Sequence, residues 1–351
     1  MGRILIKNGK VWDGERFLYS DILTDNGLIY SIEPDIKEDA EYIYDATGQV
    51  VSPGLVDIHT HMLGGFGINA EMSCIPFGVT AAADAFAKPD SKDKYDNFLV
   101  KNKVFISADF KDNKAELDET IKLLEYYGEK AAGIKVYFDT FISDVRDIKP
   151  LEEVCNYTKN NNLIVMVHTS NSPAGMSEII ATLNKGDIIT HAYHGGVNNA
   201  SCDDFECFKI AKEKEIIIDA GFAGNVHTDF GVFENAINNG YLPDTISTDI
   251  TKFSAYKRGG RYGMTMCMSI AQTLGMNEED VFRCVTSAPA KALNKENEWG
   301  YLKTGRCADI SVFAHSDEQY SLTDGAGNTV GNTKNYRCFL TVADGEIVYK
   351  D

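Results

Sequence analysis

Two imidazoles spaced two residues apart, His59 and His61, close the apolar run Val50-Val51-Ser52-Pro53-Gly54-Leu55-Val56-Asp57-Ile58. Along a β-strand, side chains at i and i+2 leave the same face, so both rings would point one way. Neutral imidazoles converging at a strand end can grip a divalent cation, since Zn–N contacts need a reach of only about 2.0–2.1 Å. An HxH pair is a weak signal alone. Its weight depends on which other donors the fold brings to the same place.

Further candidates recur at the ends of later apolar runs. Lys135 lies within Gly133-Ile134-Lys135-Val136-Tyr137, and His168 ends 163–168. His191 and then His194 follow 187–190, and Asp249 ends Ile246-Ser247-Thr248-Asp249. Of the seven histidines in the chain, only His227 and His315 lie away from such ends. Taken singly, a strand-end histidine is more often a hydrogen-bonded rim or core residue, and His194 and His227 read that way on their own. Asp249, two residues before Thr251, could be a helix N-cap. Lys135 is harder to explain as scaffold. Between Ile134 and Val136 it would bury an unpaired ammonium, at a cost of several kcal/mol, roughly. Reaction of its neutral amine with carbon dioxide would turn that cation into an anionic, two-oxygen ligand able to bridge two metals.

The elements that must carry these groups are strand-like runs at 54–61, 78–86, 104–110, 131–138, 163–170, 187–194, 215–222 and 244–250. Several are apolar almost throughout, as in Leu163-Ile164-Val165-Met166-Val167, which suits parallel strands covered on both faces. Between and after them, apolar residues recur at three- and four-residue steps over 117–127, 150–159, 175–185, 203–214, 262–274 and 278–293. Pro150 suits a first helical turn, and Asn184-Lys185-Gly186 a C-terminal stop. Eight strands alternating with helices predict an α/β fold, a (β/α)8 TIM barrel over 54–301, whose active site lies at the C-terminal strand ends. Residues 1–53 alternate short strands with the turn signals Asn8-Gly9, Asp13-Gly14 and Asn26-Gly27, and residues 302–351 end with Asp344-Gly345. Neither flank has much core alone, so the two chain ends are expected to form one small β-sandwich domain.

Composition narrows the function. The 351 residues are 44% hydrophobic and 25% charged, as in soluble globular proteins. A formal net charge of -18 repels phosphates, which argues against a nucleic-acid or anionic-membrane partner and leaves a small-molecule substrate. No apolar stretch approaches the roughly 20 residues needed to span a bilayer. The N-terminus lacks a signal-peptide pattern, and Ile6 argues against myristoylation. Eight cysteines without CxxC spacing read as reduced thiols of a cytoplasmic protein. A barrel of this size with exposed helices often self-associates, so a homo-oligomer is one expectation.

HxH on the first strand, lysine on the fourth, histidine on the fifth and sixth, and aspartate on the eighth are together similar to the amidohydrolase superfamily, over essentially the whole chain. Thr286-Ser287-Ala288-Pro289-Ala290-Lys291-Ala292-Leu293 resembles that superfamily's last barrel helix. Leu302-Lys303-Thr304-Gly305-Arg306-Cys307-Ala308-Asp309-Ile310-Ser311-Val312-Phe313 resembles its returning sandwich strand. Gly133-Ile134-Lys135, Met166-Val167-His168, Gly186-Asp187-Ile188-Ile189-Thr190-His191 and Ile246-Ser247-Thr248-Asp249-Ile250 most resemble the dihydroorotase-related branch, which includes bacterial deacetylases of acetylated 2-hydroxy acids. The resemblance implies His59, His61 and Asp249 on one cation, His168 and His191 on the other, and carboxylated Lys135 with a hydroxide between them. It implies two divalent ions, zinc first, with manganese, cobalt or iron accommodated by the same donors. It also implies hydrolysis of an amide or ester of a small, anionic substrate, with Asp249 shuttling the proton. The alternatives are a cyclic-amide hydrolase of dihydroorotase or hydantoinase type and a non-catalytic scaffold. The chain departs from the deacetylases at Val136-Tyr137, where an arginine shortly follows the lysine, and at Phe222-Ala223, where they carry histidine–glycine. Substrate contacts are then expected from Tyr137, His194, Lys252, Arg258 and Arg261.

Overall fold

The computed structural model describes residues 2–87, 89–257, 260–318, 321–331 and 335–351. Seven parallel strands curl round in chain order: Leu55–Thr60, Val79–Asp84, Lys101–Lys111, Ala131–Tyr137, Ile164–His168, Ile188–Thr190 and Ile217–Ile218. Each falls within or around an expected run. The eighth run makes no regular strand. It closes the barrel by single parallel bridges on either side, Asp219 to Thr245 and Thr60 to Ile250. This is a TIM-barrel-like α/β fold with an added β domain.

Apolar outer faces explain the wrapping helices. Ile134, Val136, Val165, Val167 and Ile189 belong to one large buried cluster with helix residues Leu151, Val154, Ile179 and Ile180. The helices Asp118–Tyr127, Lys149–Asn160, Met176–Thr182, Glu206–Lys214 and Met264–Thr273 lie within a few residues of expectation. The stretch expected as one helix over 278–293 is two, Glu278–Val285 and Ser287–Ala292. Thr286 breaks the run at φ -130°, ψ -88°, and its hydroxyl accepts from Trp12 Nε1 at 2.9 Å.

Strands from both chain ends form a second sheet, including Ile4–Trp12, Phe17–Asp25, Val50–Pro53, Ile310–Ser316, Asn335–Ala343 and Glu346–Lys350. Its core mixes Ile4, Ile6, Val11 and Val51 with Ile310, Val312, Leu340 and Val342. Asn26-Gly27 is a two-residue hairpin turn with both φ positive, as the handedness of strand twist favours. Asn8-Gly9 differs from expectation. It is a bulge within Ile4–Trp12 that lets one strand pair in parallel first with Tyr42–Asp45 and then with Val50–Val51. Among the described residues, no helix is long and apolar enough to cross a membrane.

Candidate metal centre

Parallel register places the donors at one end of the barrel. Tyr137 lies opposite His168, and His168 opposite Thr190, so His191 is the next residue out. The eighth segment is drawn to the first strand by two backbone bonds, Asp249 N–H to His59 O at 2.7 Å and His61 N–H to Ile250 O at 3.1 Å. That closure sets the Asp249 carboxylate among the imidazoles. Its Oδ1 is 2.9 Å from His61 Nε2 and 3.4 Å from His59 Nε2, and its Oδ2 is 3.6 Å from His191 Nε2. Lys135 Nζ is fully buried, 3.2 Å from His59 Nε2. His168 and His191 meet edge to face, with ring centres 4.6 Å apart.

Hydrogen bonds on the far side of the rings decide which nitrogen faces the centre. The Thr190 hydroxyl donates its single proton to Asp219 at 2.7 Å, so at 3.0 Å it accepts from His59 Nδ1. His191 Nδ1 likewise donates to the Gly221 carbonyl at 2.6 Å. In both rings Nε2 is left as a lone pair, the form a metal requires. Buried Asp219 takes three hydroxyl bonds, from Thr190, Thr245 and Ser247, and Asp57 is held by Thr248. Burial raises the Asp57 carboxyl to about 7 and Asp219 to about 6, against the hydrogen bonds that lower them.

The donor chemistry fits a divalent cation. Among the described residues, Asp249 Oδ1 and His191 Nε2 are both buried and take no well-formed hydrogen bond, and one donor atom from each of His59, His191 and Asp249 lies within 4.8 Å of the others. Burial lowers the His59, His168 and His191 pKa values. Burial also raises the Asp249 carboxyl, but the surrounding imidazoles of His59, His61 and His191 more than reverse that. His191 and Asp249 both sit at positive φ, 61° and 46°, a strained backbone where donors must be aimed. A separate group, Cys307 with Asp309 and Asp344, is instead filled by the Lys101 ammonium, 2.6 Å from Asp309 and 2.8 Å from Asp344.

The residues expected to contact substrate separate. Tyr137 is half-buried beside the centre, its ring 5.5 Å from that of His168. His194 is buried and shares a cavity of about 340 Å³ with Ser170, Gly196, His227 and Thr228. Lys252 is exposed at the start of the short helix Lys252–Lys257, and its backbone N–H binds the Phe66 carbonyl beside His61. Arg261 is exposed and paired with Glu318. Arg258 lies outside the described residues.

Sequence reasoning passed over His227 and Asp139. His227 was expected to lie apart, yet its ring is 4.3 Å from His191 and 5.0 Å from His168. The available signal was its position shortly after the seventh strand, on the catalytic side of a barrel. Asp139, two residues past Tyr137, lies 3.5 Å from His168 Nε2, and its carboxyl is depressed to about 2, burial being outweighed by the bond from His168.

Gly221 gives a direct check on how the centre is built. At φ +53°, a Cβ there would lie 2.4 Å from Thr190 Oγ1 and 2.6 Å from His191 Nδ1. Gly221→Ala should therefore cost about 1–3 kcal/mol of stability and displace the His191 ring. A lowered unfolding midpoint together with reduced bound metal is the expected pair of results; an unchanged midpoint and metal content would refute the packing argument.

The amidohydrolase family profile matches residues 108–348, and the chain belongs to the amidohydrolase family. Family and fold together define a metal-dependent hydrolase of amide or ester bonds. A protein of Enterococcus faecalis named as a deacetylase is 26% identical over 368 residues, spanning 98% of each chain. A deacetylase of Brucella anthropi is 28% identical over 343 residues, 88% of this chain and 84% of that one. Among solved structures, a dihydroorotase superposes with a TM-score of 0.87 at 23% identity, covering 100% of this chain and 98% of that chain, a likeness of fold.

Proposed function

We propose that the protein is a deacetylase-like hydrolase with two cations, cleaving an amide or ester of a small anionic substrate. The convergence of His59, His61, Lys135, His168, His191 and Asp249 at one barrel mouth carries this reading. His59, His61 and Asp249 would hold one ion, and His168 with His191 the other. Zinc suits this mixture of imidazole and carboxylate. Lys135 would bridge them as a carbamate: its amine adds to carbon dioxide, and the proton it loses goes to solvent. Burial lowers Lys135 to about 7, so a large fraction is the free amine that this addition needs. When bound, such a pair polarises a carbonyl and makes water acidic near neutrality.

The chain's own groups then do the following. Asp249, an ionised carboxylate at the centre, accepts the proton of the water whose oxygen joins the carbonyl carbon. It returns that proton to the leaving nitrogen or oxygen as the bond breaks. His194 supports a substrate contact, because its Nδ1 accepts from the Gly196 N–H at 3.1 Å. Its Nε2 therefore bears the ring proton, and that donor has no hydrogen-bond partner among the described residues. Tyr137 would supply a second donor, and Lys252 a cation at the rim. We further assign 1–53 with 302–351 to one domain and 54–301 to the other, and place the protein in the cytoplasm, in keeping with eight free cysteines.

The test is a panel of N-acyl, O-acyl and cyclic-amide compounds on metal-loaded protein. Acetate release from an acyl substrate is expected. Ring opening alone would move the assignment to the cyclic-amide hydrolases, and failure to bind any metal would favour a scaffold.

A further inference from the structure

We propose that His227 is a metal ligand, the third imidazole of a cation site that it forms with His168 and His191. The inference rests on the two-cation reading above and adds a donor to it. One ring nitrogen from each of the three residues lies within 4.8 Å of the other two. That is a separation at which one ion can be reached from all sides with small side-chain adjustments. The three come from separate segments: His168 ends a strand, His191 follows the next, and His227 stands in the loop after the seventh. The turn Ala223–Asn225 delivers it, with Ala223 at φ 49° and Gly224 at φ 68°.

Stacked rings can also be plain packing. Packing does not explain the polar atoms. Among the described residues, His191 Nε2 is buried without a hydrogen-bond partner, while its other nitrogen is committed to Gly221. The ring of His227 overlies His191 at a tilt of 38° and is itself fixed from behind, Ser170 Oγ lying 2.9 Å from its Nδ1. With Ser170 Oγ accepting from Nδ1, Nε2 of His227 keeps its lone pair for an ion, as in the rings of His59 and His191. His194, which lines the same cavity, shows the contrast. Its Nδ1 accepts a backbone N–H, so its remaining nitrogen is a donor with no lone pair to give.

Cobalt(II) can be added to chelator-treated protein and followed by elemental analysis and by visible and near-ultraviolet absorption. Wild type is expected to take two ions. His227→Ala should keep one and bind the other at least about tenfold more weakly, since even partners behind a ligand change affinity by 10–100-fold. His227→Cys should rebind the second ion and gain a thiolate-to-cobalt band in the difference spectrum against wild type. Only a sulfur touching the ion produces that band. Unchanged affinity in His227→Ala with no new band in His227→Cys overturns the assignment and leaves the two-cation reading standing. A wild type that takes up no ion overturns both. His315→Asn, a change remote from the centre, should leave binding as in wild type. Matching circular dichroism of the metal-free proteins shows that the fold is kept.

Discussion

Replacing Asp249 by asparagine is expected to leave the fold and much of the bound metal in place and to remove hydrolysis, by about 10²–10⁴ in kcat. The carboxamide keeps an oxygen where Asp249 Oδ1 stands, 2.9 Å from His61 Nε2. Asparagine also accepts the left-handed backbone at φ 46° that most residues resist. What it lacks is a site for a proton. If Asp249 only held an ion, the loss would follow metal content and be restored by excess metal. If it carries the proton from water to leaving group, the loss persists at full occupancy. Elemental analysis paired with kcat on the best substrate of the panel separates these cases. Full activity in the metal-loaded variant would end the proton-shuttle assignment.

The same residue shows how far a sequence can be read. That Asp249 lies at the same end of the barrel as His59 and His61 follows from strand-end positions. Five of the helices and the seven strands follow from apolar periodicity, which local burial imposes. The eighth run, apolar and β-like, was expected to be a full strand. In the fold, His191 and Asp249 leave extended geometry at the point where their side chains are aimed, and backbone strain of this kind leaves no compositional mark. The helix Phe230–Asn238 was not foreseen for the opposite reason. Gly231 and asparagines weaken its propensity, while the Asp229 cap on Val232 N–H and the burial of Phe233 stabilise it through the tertiary fold. The hydroxyl network of Asp219 joins three separate strand ends, so no local pattern announces it. His227 falls between these cases: its residue type was legible, but the turn that swings it inward was not.

Lys135 carries the other large expected effect. Lys135→Ala should lose the second ion and lower activity at least about a thousandfold, equivalent to roughly 4 kcal/mol of barrier. A short carboxylate such as formate or acetate, supplied in the vacated space, should restore part of both, because it replaces the two oxygens and not the chain that held them. Stability offers a second readout of opposite sign. The Lys135 amine is fully buried 3.2 Å from His59 Nε2, and burial opposes its charge. Lys135→Met removes that penalty at similar volume, so in bicarbonate-free, metal-free buffer it should melt above wild type. Adding bicarbonate and metal should reverse the order, stabilising wild type alone through the ions bound by its folded form. An order of melting temperatures that ignores bicarbonate, or a bare lysine found beside two tightly held ions, would exclude the carbamate.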